Sequence, residues 1–218
     1  MDNDITSGSA LLDQKRTDFL SIQIYFVIFL LLAVCVTFFF VAFIPIDGES
    51  MENTLHDKQY CLVQRRCFSV DRGDIVTINT ANDGEEEHII IKRVIAMGGD
   101  KLLFMKTQDG KHLELYVLYN GDKFFTRIDE PYIPEPMEAG ANTNNNKNII
   151  IYIPNLIDID LSDTENNGTV RALINEFAYS VKENHIYFLG DNRNVSKDSR
   201  AVGTRNVSCV TSKLLLKL

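Results

Sequence analysis

Between Phe19 and Ile46 the chain carries no charged side chain. The run reads FLSIQIYFVIFLLLAVCVTFFFVAFIPI and has no polar face. It exceeds the roughly 20 apolar residues that cross a ~30 Å hydrocarbon core. It is too long for the hydrophobic part of a cleaved secretory leader, and no small-x-small cleavage pattern follows it. The pattern predicts one transmembrane helix over residues 19–46, with Pro45 fitting its exit. Residues 1–18 form a tail before it, and residues 47–218 a domain beyond it.

Past the span the periodicity shortens. YCLVQRR, DIVTINT, HIIIKRVIAM, HLELYVLY, NIIIYIP and HIYFLGD are short runs rich in Ile, Val, Tyr and Phe. DRGD, NDGEEE, GGD, QDG, NGD and EPYIPEP separate them as turn signals. This predicts a mainly β domain of antiparallel, coiled, barrel-like sheets. One segment, TVRALINEFAYSV, spaces Leu173, Phe177 and Val181 at intervals that suit a short helix.

Composition narrows the classes. The chain has 218 residues, enough for one anchor and one domain with a real core, and a net charge of -8. No basic patch suited to nucleic acid is visible. Cys61, Cys67 and Cys209 follow the span without CxxC or HxxxH spacing, which speaks against a zinc site. Cys61 and Cys67 can pair in an oxidising compartment, but by default they read as small hydrophobes. Lys15 and Arg16 precede the span, and Lys58 is the nearest cation after it. That bias favours a cytoplasmic N-terminus.

Candidate chemistry lies in three places. Ser50 sits in GESMENTL, four residues past Ile46, which is about 13 Å of extended chain. Taken alone, it is an ordinary turn serine. Lys92 and Arg93 are neighbours in an Ile-rich strand and point to opposite faces, so one of the two cations should meet a sheltered place. The strand pattern by itself favours Lys92 running along its own stem to the surface. GDNRNVSKDSRAVG is dense in polar residues straight after the apolar IYFL. Within it Asp198 and Arg200 are spaced for an ion pair, and Ser196 can donate a hydrogen bond to something nearby.

The order of these pieces is specific. An anchor, then GESMENTL, RGDIV, IKRVIAMGGD and GDNRNVSKDSR resembles the bacterial type I signal peptidases from the span to about Gly203. The resemblance implies a fold of coiled β-sheets and a membrane-bound serine endopeptidase without metal or cofactor, which removes signal peptides from exported preproteins. It implies Ser50 as nucleophile, Lys92 as general base and Ser196 as the residue that orients the lysine. Asp198 and Arg200 match the pair that shapes the site from behind, and Arg93 and Asp191 fall among the supporting positions. The Ser50 backbone and the Gly48 region match the oxyanion hole, with Gly48 standing where some members carry a second serine.

The implied partners are signal-peptide-bearing preproteins and the lipid bilayer. The implied location is a plasma membrane, crossed once, with the catalytic domain on the outer face as in the Gram-positive members. Oligomeric state is left open. Two departures stand out: Asn53 and Gly98 occupy positions where proline is common, for which altered loop stiffness is the expectation.

The chemistry explains the choice of residues. A serine hydroxyl needs a base, and an ordinary lysine with pKa near 10.4 is almost wholly protonated at neutral pH. Burial disfavours the ammonium form and brings the pKa toward the working pH. The rival readings are a catalytically silent scaffold of the same fold, a soluble Ser-Lys autoprotease tied to gene control, and an organelle inner-membrane relative. Ser50, Lys92 and Ser196 together argue against the first, and the span argues against the second. The third keeps the chemistry and changes the compartment. The lysine base excludes the endoplasmic-reticulum type, which uses histidine.

Overall fold

The architecture is that of a computed structural model, which describes residues 3–81, 88–107, 109–122, 124–133, 135–140 and 178–218. The chain divides into two units, Met1–Ala42 and Phe43–Leu218.

The first unit is built on α1 (Asn3–Phe40). Its stretch Asp18–Phe40 has a mean hydropathy of 2.7 and is long and apolar enough to cross a membrane. The helix ends sooner than the apolar run does. Val41–Pro45 is a strand, β1, so residues 41–46 are not part of a helix as the run alone suggests. Apolarity is shared by membrane helices and buried strands, and only pairing with another strand tells them apart. Here β1 finds that partner in β2 (Tyr60–Gln64), and Ile46 continues the contact by donating to the Gln59 carbonyl at 2.8 Å.

The second unit contains two antiparallel sheets. The first has seven strands in the order β1-β2-β12-β3-β4-β10-β11. Its members beyond β2 are β3 (Ile75–Asn79), β4 (Ile89–Met97), β10 (His185–Leu189), β11 (Arg205–Asn206) and β12 (Val210–Lys217). The second sheet holds β5 (Lys101–Lys106), β6 (His112–Leu118), β7 (Thr126–Arg127), β8 (Met137–Glu138) and β9 (Tyr179–Ser180). Register slips at Tyr187/Phe188, Leu214/Leu216 and Val210/Ser212 mark bulges that add twist and curl the first sheet. The mainly β, coiled-sheet class therefore holds.

Five of the six strand runs read from the sequence are β2, β3, β4, β6 and β10. NIIIYIP and most of TVRALINEFAYSV lie outside the described residues. The end of the latter, Tyr179–Ser180, is strand β9 rather than helix.

Side chains from both sheets fill one core, including Ala96, Leu102, Phe104, Val117, Tyr187 and Leu189. A second cluster of Ile46, Met51, Leu55, Cys61 and Ile75 packs under the segment that carries Ser50. Met51 and Leu55 have no exposed surface. Burying side chains of this size contributes about 1.5–3 kcal/mol each and fixes the segment from below. All four cysteines are free thiols. Cys61 is a buried hydrophobe as expected, whereas Cys67 is exposed.

Candidate active site

Two elements carry Ser50 and Lys92. Met51 and Leu55 anchor a turn, closed by Thr54 and Leu55 N–H groups donating to the Met51 carbonyl at 3.1 and 2.8 Å. Ser50 precedes that turn. Lys92 lies in β4, paired with Val76 of β3, and has only 3% of its surface exposed. The reading from the strand pattern alone, that Lys92 reaches the surface, is thus overturned. Its neighbours Val76 and Val94 are buried, and its stem stays inside. Arg93 points the other way, yet is sheltered too, with 13% of its side chain exposed.

The Lys92 Nζ is 2.6 Å from Ser50 Oγ and 2.8 Å from the Ile91 carbonyl oxygen. Neither partner is a carboxylate. Burial lowers the Lys92 pKa to about 8, against the opposing pull of the Asp198 and Asp191 charges. Those carboxylates have other partners. Asp198 caps α2 (Ser199–Val202) and accepts from the Gly190 N–H at 3.0 Å and from Arg200 Nε at 2.8 Å. Asp191 accepts a two-pronged contact from Arg93 at 2.9 and 2.7 Å, and the Thr54 hydroxyl at 2.5 Å. A carboxylate matched in this way opposes the loss of the lysine proton less than a bare one.

Gly190 joins the pieces. A β-carbon placed on it would collide with the Ser196 side chain and with the Ser50 carbonyl oxygen. Ser196 is itself fully buried. Ser196 and the Ser50 backbone thus share one neighbour that must lack a side chain. Asn192 ties the same segment, its N–H donating to the Ser50 carbonyl at 3.2 Å and its side-chain amide to the Glu49 carbonyl at 3.1 Å. Gly190, Asn192 and Thr54 were not singled out from the sequence. The signal for them was membership of the two motif blocks, where each looks like an ordinary turn residue.

In the Gly48 region the backbone is already engaged. The Gly48 N–H donates to Asp57 Oδ1 at 2.7 Å, so it is committed elsewhere. The Ser50 N–H has no acceptor among the described residues.

Both replaced prolines have a steric reason. Asn53 has φ of 79°, in the left-handed region that asparagine tolerates and a proline ring forbids. A β-carbon on Gly98 would lie 2.9 Å from the Asn184 nitrogen and 3.0 Å from the Lys182 oxygen. These positions are set by backbone shape and close approach rather than by loop stiffness alone.

Residues 19–217 match the family model described as signal peptidase, peptidase S26. The chain belongs to this family. Signal peptidase I of Streptococcus pneumoniae (strain TIGR4) is 29% identical over 192 residues, covering 83% of each chain. Signal peptidase I S of Bacillus subtilis is 32% identical over 179 residues, covering 80% of this chain and 74% of its own. Signal peptidase IB of Staphylococcus aureus (strain COL) is 31% identical, covering 78% and 73%. Family membership agrees with the mainly β fold. Among the described residues no group of His, Cys, Asp or Glu is arranged to hold a metal ion.

Proposed function

We propose that this family member removes signal peptides from preproteins with Ser50 as nucleophile and Lys92 as general base. The observation that carries this reading is the 2.6 Å approach of a buried amine to a serine hydroxyl with no carboxylate on the amine.

In its neutral form Lys92 takes the Ser50 proton as Oγ attacks the scissile carbonyl. The resulting ammonium then gives that proton to the departing amine, which leaves as the new N-terminus of the mature protein. The bond formed is an ester between Ser50 and the signal peptide. Water, deprotonated by the same amine, hydrolyses it and restores the serine. The Ser50 N–H is the donor proposed for the oxyanion, an interaction commonly worth about 3 kcal/mol in the transition state. Gly48 contributes its bend at φ of 91° rather than its N–H. Ser196 orients the lysine, supported by its burial on Gly190 beside Ser50. Arg93 and Asp191 tie β4 to the Ser50 turn through Thr54, while Asp198 and Arg200 brace the segment that carries Ser196 from within.

The apolar stretch of α1 anchors the enzyme in a bilayer. Lys15 and Arg16 before it favour a cytoplasmic N-terminus, with the catalytic unit on the outer face of a plasma membrane. The anchor confines enzyme and membrane-inserted substrate to one surface and raises their effective concentration.

The decisive test is cleavage of a purified precursor by the wild type beside Ser50→Ala and Lys92→Ala. Both variants should be inactive and fold normally. Full activity in either would overturn the assignment.

A further inference from the structure

We propose that the turn Glu130–Ile133, which lies outside the four sequence blocks quoted above, is a brace that positions the Ser50–Lys92 pair. Glu130 and Tyr132 are its positioning residues, and the inference rests on the dyad reading above.

The turn is a rigid source of contacts. The Ile133 N–H donates to the Glu130 carbonyl at 3.0 Å. Pro131 is its second residue, where a proline ring presets the backbone angle a turn needs. The turn belongs to the segment between β7 and β8 of the second sheet, while the dyad stands on the first. Its two side chains are tied to each other, Tyr132 donating its hydroxyl to Glu130 at 2.8 Å.

From there two arms run to the reacting serine. In the first, Glu130 receives both terminal nitrogens of Arg193, whose side chain is 1% exposed. Burial works against that guanidinium charge, but Glu130 outweighs it and holds the pKa above the usual range. Arg193 Nε in turn donates to the Gly190 carbonyl at 3.0 Å. Gly190 is the residue against which Ser196 and the Ser50 carbonyl both rest. In the second arm, the Tyr132 ring lies under the Arg93 guanidinium, 4.0 Å from carbon to ring centre. Arg93 grips Asp191, and Asp191 accepts the Thr54 hydroxyl of the nucleophile turn. Arg93 also follows Lys92 directly in β4. The arms therefore reach Ser50 from its carbonyl side and from its turn.

Removing Glu130 leaves a buried guanidinium unmatched, which is strongly unfavourable and drives Arg193 to seek another partner. Removing the Tyr132 ring uncovers Arg93. Each change loosens one arm without touching substrate.

The test uses the full chain in detergent with a purified precursor, and kcat is expressed per folded molecule at a temperature well below unfolding. Tyr132→Leu and Glu130→Gln are each expected to lower kcat tenfold or more with KM within twofold of wild type. Tyr132→Phe keeps the ring and should stay within threefold. A role in stability alone would leave kcat per folded molecule unchanged. Values within twofold of wild type in both Tyr132→Leu and Glu130→Gln overturn the proposal, and a loss confined to one of them overturns the other arm. Should Glu130→Gln fail to fold, Glu130→Gln combined with Arg193→Met removes the stranded charge and serves in its place. Ser50→Ala runs alongside. Continued cleavage there sinks the dyad reading, whereas a dead Ser50→Ala beside fully active brace variants sinks only the brace.

Discussion

The sheltered cations around the site fall into two kinds. Arg93, Arg193 and Arg200 each face a carboxylate, at 2.7, 2.5 and 2.8 Å from Asp191, Glu130 and Asp198. Lys92 faces a hydroxyl and a peptide carbonyl. Arginine stays charged under any physiological condition and offers a planar fork that matches a carboxylate. Lysine is a single amine whose proton can be driven off by burial. The structure thus separates three charges matched by carboxylates from one that is not. In the first group each positive charge is cancelled locally, and those pairs serve as fixed joints. In the second, on the proposed reading, the lack of cancellation lets the group serve as a base at ordinary pH.

The sharpest way to break this contrast is to remove the unmatched cation. Lys92→Met should lower cleavage by at least ~10⁴-fold, the scale seen when one member of a catalytic set is lost. It should also stabilise the fold. A lysine whose pKa falls from 10.5 to about 8 carries a penalty of roughly 3 kcal/mol at neutral pH. Thermal melting beside the activity assay checks both halves. Lys92→Arg should be as inactive, because it restores a permanent charge without a partner.

Breaking a matched pair should have the opposite balance. Arg200→Met leaves Asp198 buried and uncompensated, which costs about 3–5 kcal/mol by chemical denaturation. Asp198 already pulls the Lys92 pKa upward, so the surviving activity should need a higher pH than wild type.

The pH dependence of the wild type follows from the same asymmetry. The neutral amine is the active form, so kcat/KM should rise with pH through about 8. Stability should move in the same direction. Between pH 8 and 10.5 the unfolded chain binds the lysine proton and the native state does not, so stability increases across that window. Below it the full penalty applies.

A smaller effect is expected at the turn that follows Ser50. Asn53→Pro should cost roughly 1–3 kcal/mol, because φ of 79° is closed to proline, whereas Asn53→Gly should remain within about 0.5 kcal/mol. Thr54→Val removes one bond to Asp191 and should cost about 1 kcal/mol.

The strands that alternate or contain runs of Ile and Val were legible in the sequence, as β3, β4 and β10 show. Other strands were not, and the two longest of these show why. KLLFMK and VTSKLLLK lack a clean alternation and are rich in Leu and Lys, which favour helices as readily, so only pairing reveals them as β5 and β12. The positions of Ser50, Lys92 and the Asp198–Arg200 pair were legible because the chemistry restricts residue type within short blocks. Lys92 burial was not, since an Ile-rich strand shelters a lysine or lets it out with the same letters. Glu130 and Tyr132 were legible only as parts of a turn, because their partners lie 63 and 39 residues away along the chain at Arg193 and Arg93.

Strand β12 lies between β2 and β3. The segment bearing Ser50 leads into β2 on one side of it, and Lys92 belongs to β4 beyond β3 on the other. Residues 210–217 are synthesised after both. Strand β12 therefore supplies the ladder between the strand that Ser50 leads into and the strand that precedes Lys92, so the register of both depends on residues far from either.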